Sequence, residues 1–427
     1  MLRTASSCLA RPLKRGSAGA ALQPLWRARA LHVHAHTLSS PTPSSLKAHL
    51  SALPLTWASS EGLLFSFSTS LPAASITPLL DILAAHPNAV GSFHLSPTQT
   101  PEVSVSTFTP EKGEAAVKSW HLSETGRAPP SVGKWRRPGE QEYVEDDAGD
   151  SIGSLEDRLK DGGWDGLWKA QGESARIDVG DAKNVGTLVA LTDATPAPTL
   201  EALDAFPAAA KLGYVAAPTP FLTGYPFTLF HGRKVLQTGA VGLALPKPAD
   251  VAVEYGVESF AAPTRVKAAR GNLLLTIEGP NPNPTATLIA ALHVRDKGKA
   301  AGLTKDESFW LQIKDPKTSE LRVVHILSGD PSRGALSLDT EIPLVPGQEV
   351  QFMCRTGALP LPEPLGGALR FVALARTDDV AVAAKEGAPQ TIDGFLVSSE
   401  GGFICSPAGV PTAVITVSGA AGTAGWR

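Results

Sequence analysis

Three times along this chain an apolar run, a helical pattern and a second apolar run follow one another in the same order, and each time the second run holds a glycine. The first copy is Leu63-Leu64-Phe65-Ser66-Phe67, then Ile76, Leu79, Leu80 and Leu83 at helical spacing, a stop at His86-Pro87-Asn88, and Val90-Gly91-Ser92-Phe93-His94. The second is Leu188-Val189-Ala190-Leu191, a helix with Leu200, Leu203 and Phe206 inward, Pro207 as terminator, and Leu212-Gly213-Tyr214-Val215. The third is Ala368 to Leu374, a short helical pattern after Thr377-Asp378-Asp379, and Ile392-Asp393-Gly394-Phe395-Leu396-Val397. Apolar residues at i, i+3, i+4 and i+7 make an amphipathic helix, and the flanking runs read as strands. The interval from strand start to glycine is similar in all three, slightly short of the ~30 residues of a strand-helix-strand unit. A fixed order repeated three times is architecture.

Around these units strands outnumber helices. Pro226 to Lys234 and Val235 to Leu245 read as two strands about a tight turn. Phe309–Ile313 and Leu321–Leu327, separated by Asp315-Pro316-Lys317, read as a hairpin. Val350–Arg355 and Ala413–Val417 are further strands, and Thr285 to Leu292 a helix. The class expected is α+β, or mixed α/β: two lobes of strand-rich mixed sheets with flanking helices. The lobes divide near Pro246 and Pro248, at 61–248 and 249–427. The first carries a charged insertion, 111–183, whose Trp120, Trp135, Trp164 and Trp168 would pin it to the body.

The ends of the chain differ in charge. The first sixty residues contain no Asp or Glu but hold Arg3, Arg11, Lys14, Arg15, Arg27, Arg29 and Lys47. A segment rich in Arg, Ser and Ala and free of acid reads as a mitochondrial presequence, here 1–36, with 37–60 as a Ser/Pro-rich linker and the matrix as destination, the cytoplasm being the alternative. Removing the six basic residues up to Arg29 leaves 32 Lys and Arg against 41 acids. That balance disfavours nucleic acid and anionic membrane surfaces as partners. The apolar stretch from Leu63 to Ala85 is interrupted by Pro72, Pro78 and Asp81, so no membrane insertion is expected. Of three cysteines, Cys354 and Cys405 lie beyond the presequence, too few for a disulfide framework or a four-sulfur zinc site. They read as buried small apolar residues.

Motifs for chemistry are sparse. Gly329 to Gly334 has the spacing of a phosphate loop but continues Ala335-Leu336 where lysine and a hydroxyl are required, and is a turn. No dinucleotide fingerprint follows a strand, so no cofactor is expected. His32, His34 and His36 fall in the expected presequence, where a metal has no fold to join. His94, His121, His231, His293 and His325 are available as bases to a serine or cysteine brought near in space.

Over residues 61–427 the order of elements resembles the FIST family, the F-box and intracellular signal transduction proteins. The likeness rests on Gly239 to Leu245, Tyr255-Gly256, Arg265 to Asn272, Leu275 to Gly279, Val350 to Arg355, Gly367-Ala368-Leu369, and Gly394-Phe395 with Glu400-Gly401. It departs at Gly256-Val257, where members often have Gly-Cys, and at the turn Ser398-Ser399-Glu400-Gly401-Gly402. No F-box pattern precedes the first lobe. The resemblance implies a stand-alone sensory domain that binds a small polar, amino-acid-like ligand. The site expected from strand ends with little side chain is Gly91, Gly213 and Gly394 with Ser398, Ser399, Glu400 and Gly401, Glu400 acting as acceptor. An adaptor with a protein partner, related to F-box components of ubiquitin ligases, and a hydrolase using a serine or Cys405 are the alternatives.

Overall fold

The computed structural model describes residues 31–426 except 41, 54–57, 97–99, 123–175, 296–307, 317–320, 331–333, 341, 356–367 and 375–388. The three copies of the sequence pattern become three units of one topology. In the first, β1 (Leu31–Ser39) leads through α1 (Pro43–Ala52) to β2 (Gly62–Ser68), α2 (Ala73–Leu83), β3 (Ala89–His94) and β4 (Glu102–Pro110). The second runs β5 (Lys118–Leu122), β6 (Thr187–Thr192), α3 (Ala197–Asp204), β7 (Ala210–Val215), the hairpin β8 (Leu229–His231) and β9 (Lys234–Leu236), and β10 (Ala240–Leu245). The third begins with β11 (Asp250–Glu254).

Between β11 and the rest of its unit stand β12 (Glu258–Ser259), β13 (Thr264–Arg270), β14 (Leu273–Ile277), α4 (Pro284–Arg295), β15 (Phe309–Lys314), β16 (Leu321–Gly329), β17 (Leu336–Leu338) and β18 (Glu349–Cys354). The third unit then resumes with β19 (Leu369–Ala373), β20 (Gln390–Asp393), β21 (Phe395–Ser399), β22 (Phe403–Ser406), β23 (Val414–Ile415) and β24 (Ala421–Gly425).

The strand orders β1-β4-β2-β3, β5-β10-β6-β7 and β11-β24-β19-β21 are the same arrangement three times over. In each, the entering strand pairs antiparallel with the returning one. That strand pairs antiparallel with the middle strand, which pairs parallel with the strand after the helix. Parallel neighbours need a crossover, and a helix supplies it in the first two units. In the third, the helix expected after Thr377 falls outside the described residues.

Alternation explains the apolar runs. In β2, Leu63, Phe65 and Phe67 face Leu46 and Leu50 of α1 and Ile76, Leu79 and Leu83 of α2, while Leu64 faces inward. In β6, Leu188 and Ala190 meet Leu200 and Leu203 of α3, while Val189 and Leu191 face inward. Strands covered on both faces read as continuous hydrophobic sequence. The inner faces of all three units share one core, to which β19 gives Phe371 and β21 gives Phe395 and Val397. The remaining strands β13, β14, β17, β16, β15 and β18 close on themselves through β15–β18 pairing into an antiparallel barrel around Leu311, Ile313, Val350 and Phe352. Leu288 and Leu292 of α4 join that barrel's core.

The molecule is therefore strand-rich with mixed sheets, and only four α-helices lie among the described residues. Several expectations change. Residues 37–60 contain the end of β1 and all of α1 within the first unit, in place of a linker. Leu31 to His36, assigned to the presequence, forms most of β1, and His32, His34 and His36 are strand residues. The start of the expected 111–183 insertion is β5, where Trp120 is buried opposite Gly242; Trp135, Trp164 and Trp168 lie outside the described residues. The boundary near 248 falls between the second and third units, which share a core; the barrel, residues 258–354, has a core of its own and also gives Trp310, Val323 and Met353 to the shared one. The strand expected over Val235–Leu245 is broken at Gly239 into β9 and β10, and the last strand is β24, after a short β23.

Burial pulls the pKa of His86, His231 and His325 below 6.5, the two like charges near His231 adding to the effect and Glu61 and Asp339 partly opposing it at His86 and His325. Between those lowered values and 6.5 the unfolded chain binds more protons than the folded one. Stability is therefore level above pH 6.5 and falls on acidification through the folded-state values. Urea midpoints measured from neutral to mildly acidic pH should decline; a midpoint that rises over that window contradicts the assignment.

Candidate functional site

The strands after the three crossovers end close together. The Leu95 amide, just past β3, donates to the Ser398 carbonyl at 3.0 Å, and the Ala217 amide, past β7, donates to the Phe93 carbonyl at 2.9 Å. Ser399 Oγ donates to the Val215 carbonyl at 2.5 Å, and the Val215 amide to the Gly402 carbonyl at 3.0 Å. The strand ends named from sequence are thus brought into one region by the threefold arrangement.

Two of the three glycines serve packing there. A Cβ on Gly91 would lie 2.4 Å from the Phe65 ring, and one on Gly213 would lie 1.8 Å from the Ala190 carbonyl oxygen. Gly394 immediately precedes β21, its amide donating to the Ala35 carbonyl at 2.8 Å and its carbonyl accepting from Thr37 Oγ1 at 2.9 Å. The space above Gly91 and Gly213 is filled by the protein's own atoms, which accounts for the missing side chains without a ligand. Ser398 and Ser399 are buried, and only Glu400 and Gly401 of the expected set border open space.

That space is a cavity of about 780 Å³ between the barrel and the second and third units. Its walls carry Val251 and Val253 from β11, Arg322 and Val323 from β16, and Asp339 just after β17. Glu400 and Gly401 from the turn after β21 and the 405–416 segment complete it. Mostly apolar walls with a few charged groups of both signs are the make-up of a small-molecule site. Arg322 and Asp339 were not legible as site residues, because they come from the barrel and join Glu400 only through docking. Cys405 also borders the cavity, its thiol pushed up to about 12 by burial and thus not a nucleophile at neutral pH. Cys354 is buried and free as well. Among the described residues no group of three or more His, Cys, Asp and Glu is placed to hold a metal ion.

A second cluster lies within the core. The inner face of the first unit is apolar at one end, with Leu64, Val90 and Phe108, and hydroxylated at the other, with Ser66, Ser92, Ser104 and Thr37. Tyr214 reaches across from the second unit. Its hydroxyl lies 2.6 Å from Ser92 Oγ and donates to Ser66 Oγ at 2.6 Å, Ser66 Oγ lies 2.8 Å from His94 Nδ1, and His94 Nε2 is 3.6 Å from the Glu102 carboxylate. Burial pushes the Tyr214 phenol up to about 12, offset in part by the two serine bonds. Ser66, His94 and Glu102 have the residue types of a hydrolase relay, but Ser66 is fully buried and its oxygen is engaged by Tyr214 and His94. No acyl group can approach it in this conformation, and the cluster acts as a polar lock between two units. The pairing of Tyr214 with Ser66 and Ser92 was not legible in the sequence.

Comparison of the chain with models of known protein families finds no match, and comparison with curated proteins finds no matching relative.

Proposed function

We propose that this protein binds a small polar ligand carrying both charges, of the amino-acid type, in the cleft between the barrel and the three-unit body. The observation that carries the reading is that the approximately 780 Å³ cavity has Arg322 on one wall and Asp339 and Glu400 on others, with aliphatic surface between them. A guanidinium suits a carboxylate and an acid suits an ammonium, while Val251, Val253 and Val323 suit an aliphatic portion. The resemblance to the FIST family supports a sensory role for such a site. The acid-free basic N-terminus supports import into mitochondria, with a cut near Arg29-Ala30-Leu31 that would leave β1 whole. No helix among the described residues is long and apolar enough to cross a membrane.

Native mass spectrometry of the purified chain, followed by calorimetry with the retained molecule or with single amino acids, tests the reading. Glu400→Gln keeps the shape and removes the charge, so affinity for an ammonium-bearing ligand should fall about tenfold, the lower end for a charge-assisted bond because Glu400 is exposed. Unchanged affinity removes Glu400 from the site. Gly394→Val, whose position does not line the cleft, should impair folding and leave the affinity of the folded fraction unchanged.

The adaptor reading has one feature in its favour. Phe221 is fully exposed and Tyr225 partly so, on a loop braced by Thr219, Thr223 and Thr228 with hydroxyls 2.7 to 3.2 Å apart. A rigid exposed aromatic is the kind of residue that anchors an interface. Loss of a co-purifying protein on Phe221→Ser would move the balance to that reading.

A further inference from the structure

Two histidines that belong to different sheets touch where the first and second units meet. His121 lies in β5, which pairs with β10 of the second unit. His231 lies in β8, which pairs with β3 and so extends the sheet of the first unit. Their ring centres are 4.8 Å apart, with the planes tilted by 38°. Along β5, Trp120 and Leu122 enter the apolar cluster that α3 covers, so Ser119 and His121 share the opposite face and meet β8 there. His231 is half-buried, its Nε2 3.1 Å from Ser119 Oγ, and His121 is exposed. Neither histidine borders the cleft.

Two imidazolium rings this close would repel, so the contact suits neutral rings, and neutral imidazole is the form that ligates metal ions. Metal–nitrogen bonds of about 2.0–2.1 Å place the ring centres of two imidazoles on one ion roughly 4.5–5.2 Å apart, from right-angled to tetrahedral geometry. The observed separation falls inside that window. A ligating histidine ordinarily gives its other ring N–H to an oxygen that fixes the tautomer and the ring plane. Ser119 supplies that oxygen: with the proton on Nε2 donated to the hydroxyl, the lone pair stays on Nδ1. The exposed His121 ring is free to turn a nitrogen toward the same ion. Among the described residues no third His, Cys, Asp or Glu joins the pair, so water takes the other positions. Imidazole nitrogen selects copper and zinc, whereas magnesium and calcium take oxygen.

We propose that His121 and His231 bind one divalent transition ion, copper(II) or zinc(II), as a two-imidazole chelate across the seam between the first and second units. Each ring gives one nitrogen lone pair, the ion releases two of its waters, and no electron is transferred. Because the rings stand on different sheets, the bound ion ties β5 to β8 and stabilises their docking. Lys234, paired with His231 across the β8–β9 turn, opposes the ion with its charge, which solvent screens because the side chain is exposed.

The test titrates the full chain, freed of metal by a chelator, with Cu²⁺, Zn²⁺ or Mg²⁺ in a calorimeter. One site should appear, tighter for Cu²⁺ than for Zn²⁺ and without heat from Mg²⁺. Ser119→Ala should weaken Zn²⁺ binding about tenfold, the lower end for loss of an outer hydrogen-bonding partner. His121→Asn and His231→Asn should each weaken it further, and Lys234→Gln should strengthen it about threefold by removing a like charge. His32 and His34, exposed on β1, are the competing pair, and His34→Ala should change nothing. Should His231→Asn fail to fold, the surface variants His121→Asn and Lys234→Gln decide alone. The proposal is overturned by an absence of binding, or by loss on His34→Ala in place of His121→Asn. Phosphate raising the melting temperature where neither ion does also overturns it, since the seam then serves an anion.

Discussion

A chain beginning at Leu31 should fold, and one beginning at Thr37 should not. β1 is an interior strand, paired over nine residues with β4 on one side and with β20 on the other. Starting at Thr37 removes the six residues opposite Val105 to Pro110, including the buried Leu31 and Ala35. The loss is about 1.5–3 kcal/mol for a buried leucine alone. Several strand hydrogen bonds at about 0.5–1.5 kcal/mol each add to it. The sum reaches the ~5–15 kcal/mol that holds an entire domain, and the freed edge of β4 becomes a template for aggregation. Circular dichroism melts of the two truncations decide the matter, and the shorter chain melting within a few degrees of the longer would sink the argument. The result also bears on import. A presequence cut near Ala30 is compatible with this fold, and one after residue 36 is not.

Gly213→Ala should be the most damaging single methyl in the second unit. The added carbon would sit 1.8 Å from the Ala190 carbonyl oxygen, and the backbone at Gly213 has φ near +150°, where side chains are disfavoured. Ala190 belongs to β6, held between β7 and β10, so the carbonyl cannot retreat without disturbing both pairings. Overpacking and backbone strain each cost roughly 1–3 kcal/mol. Gly91→Ala meets the Phe65 ring at 2.4 Å, a side chain in place of a backbone carbonyl held by two pairings, and should cost less. Chemical denaturation of the two variants gives the order directly. If Gly213→Ala keeps full stability yet loses ligand, the glycine serves binding and the packing account is wrong.

These expectations mark where sequence and structure part. The order strand, helix, strand with a glycine was readable in the first two copies, and the strands of the third, because hydrophobic period depends only on which faces of an element are covered. Leu63 to Phe67 and Leu188 to Leu191 are apolar throughout because helices lie on one side of them and the core on the other. The barrel strands from Phe309 to Lys314 and from Leu321 to Gly329 were readable as a hairpin for the same local reason. Leu31 to Ala52 was misread because basic, acid-free composition speaks of targeting and is silent on pairing. Its strand exists through nine partners on β4, some seventy residues away.

The candidate site divides along the same line. Glu400 and Gly401 follow a strand end and were found from local pattern. Arg322, Asp339 and Tyr214 were not, since nothing near each of them in sequence tells what it faces. The sequence alone determined most of the strands, the helices α2, α3 and α4, the threefold strand repeat and the free, buried state of Cys354 and Cys405, all of which follow from periodicity and composition. Only the tertiary structure decided that the repeats share one core, that six strands close into a barrel, and that a serine-lined inner face receives Tyr214. Those outcomes depend on which surfaces meet, and contacts between distant segments leave no periodic trace in either one.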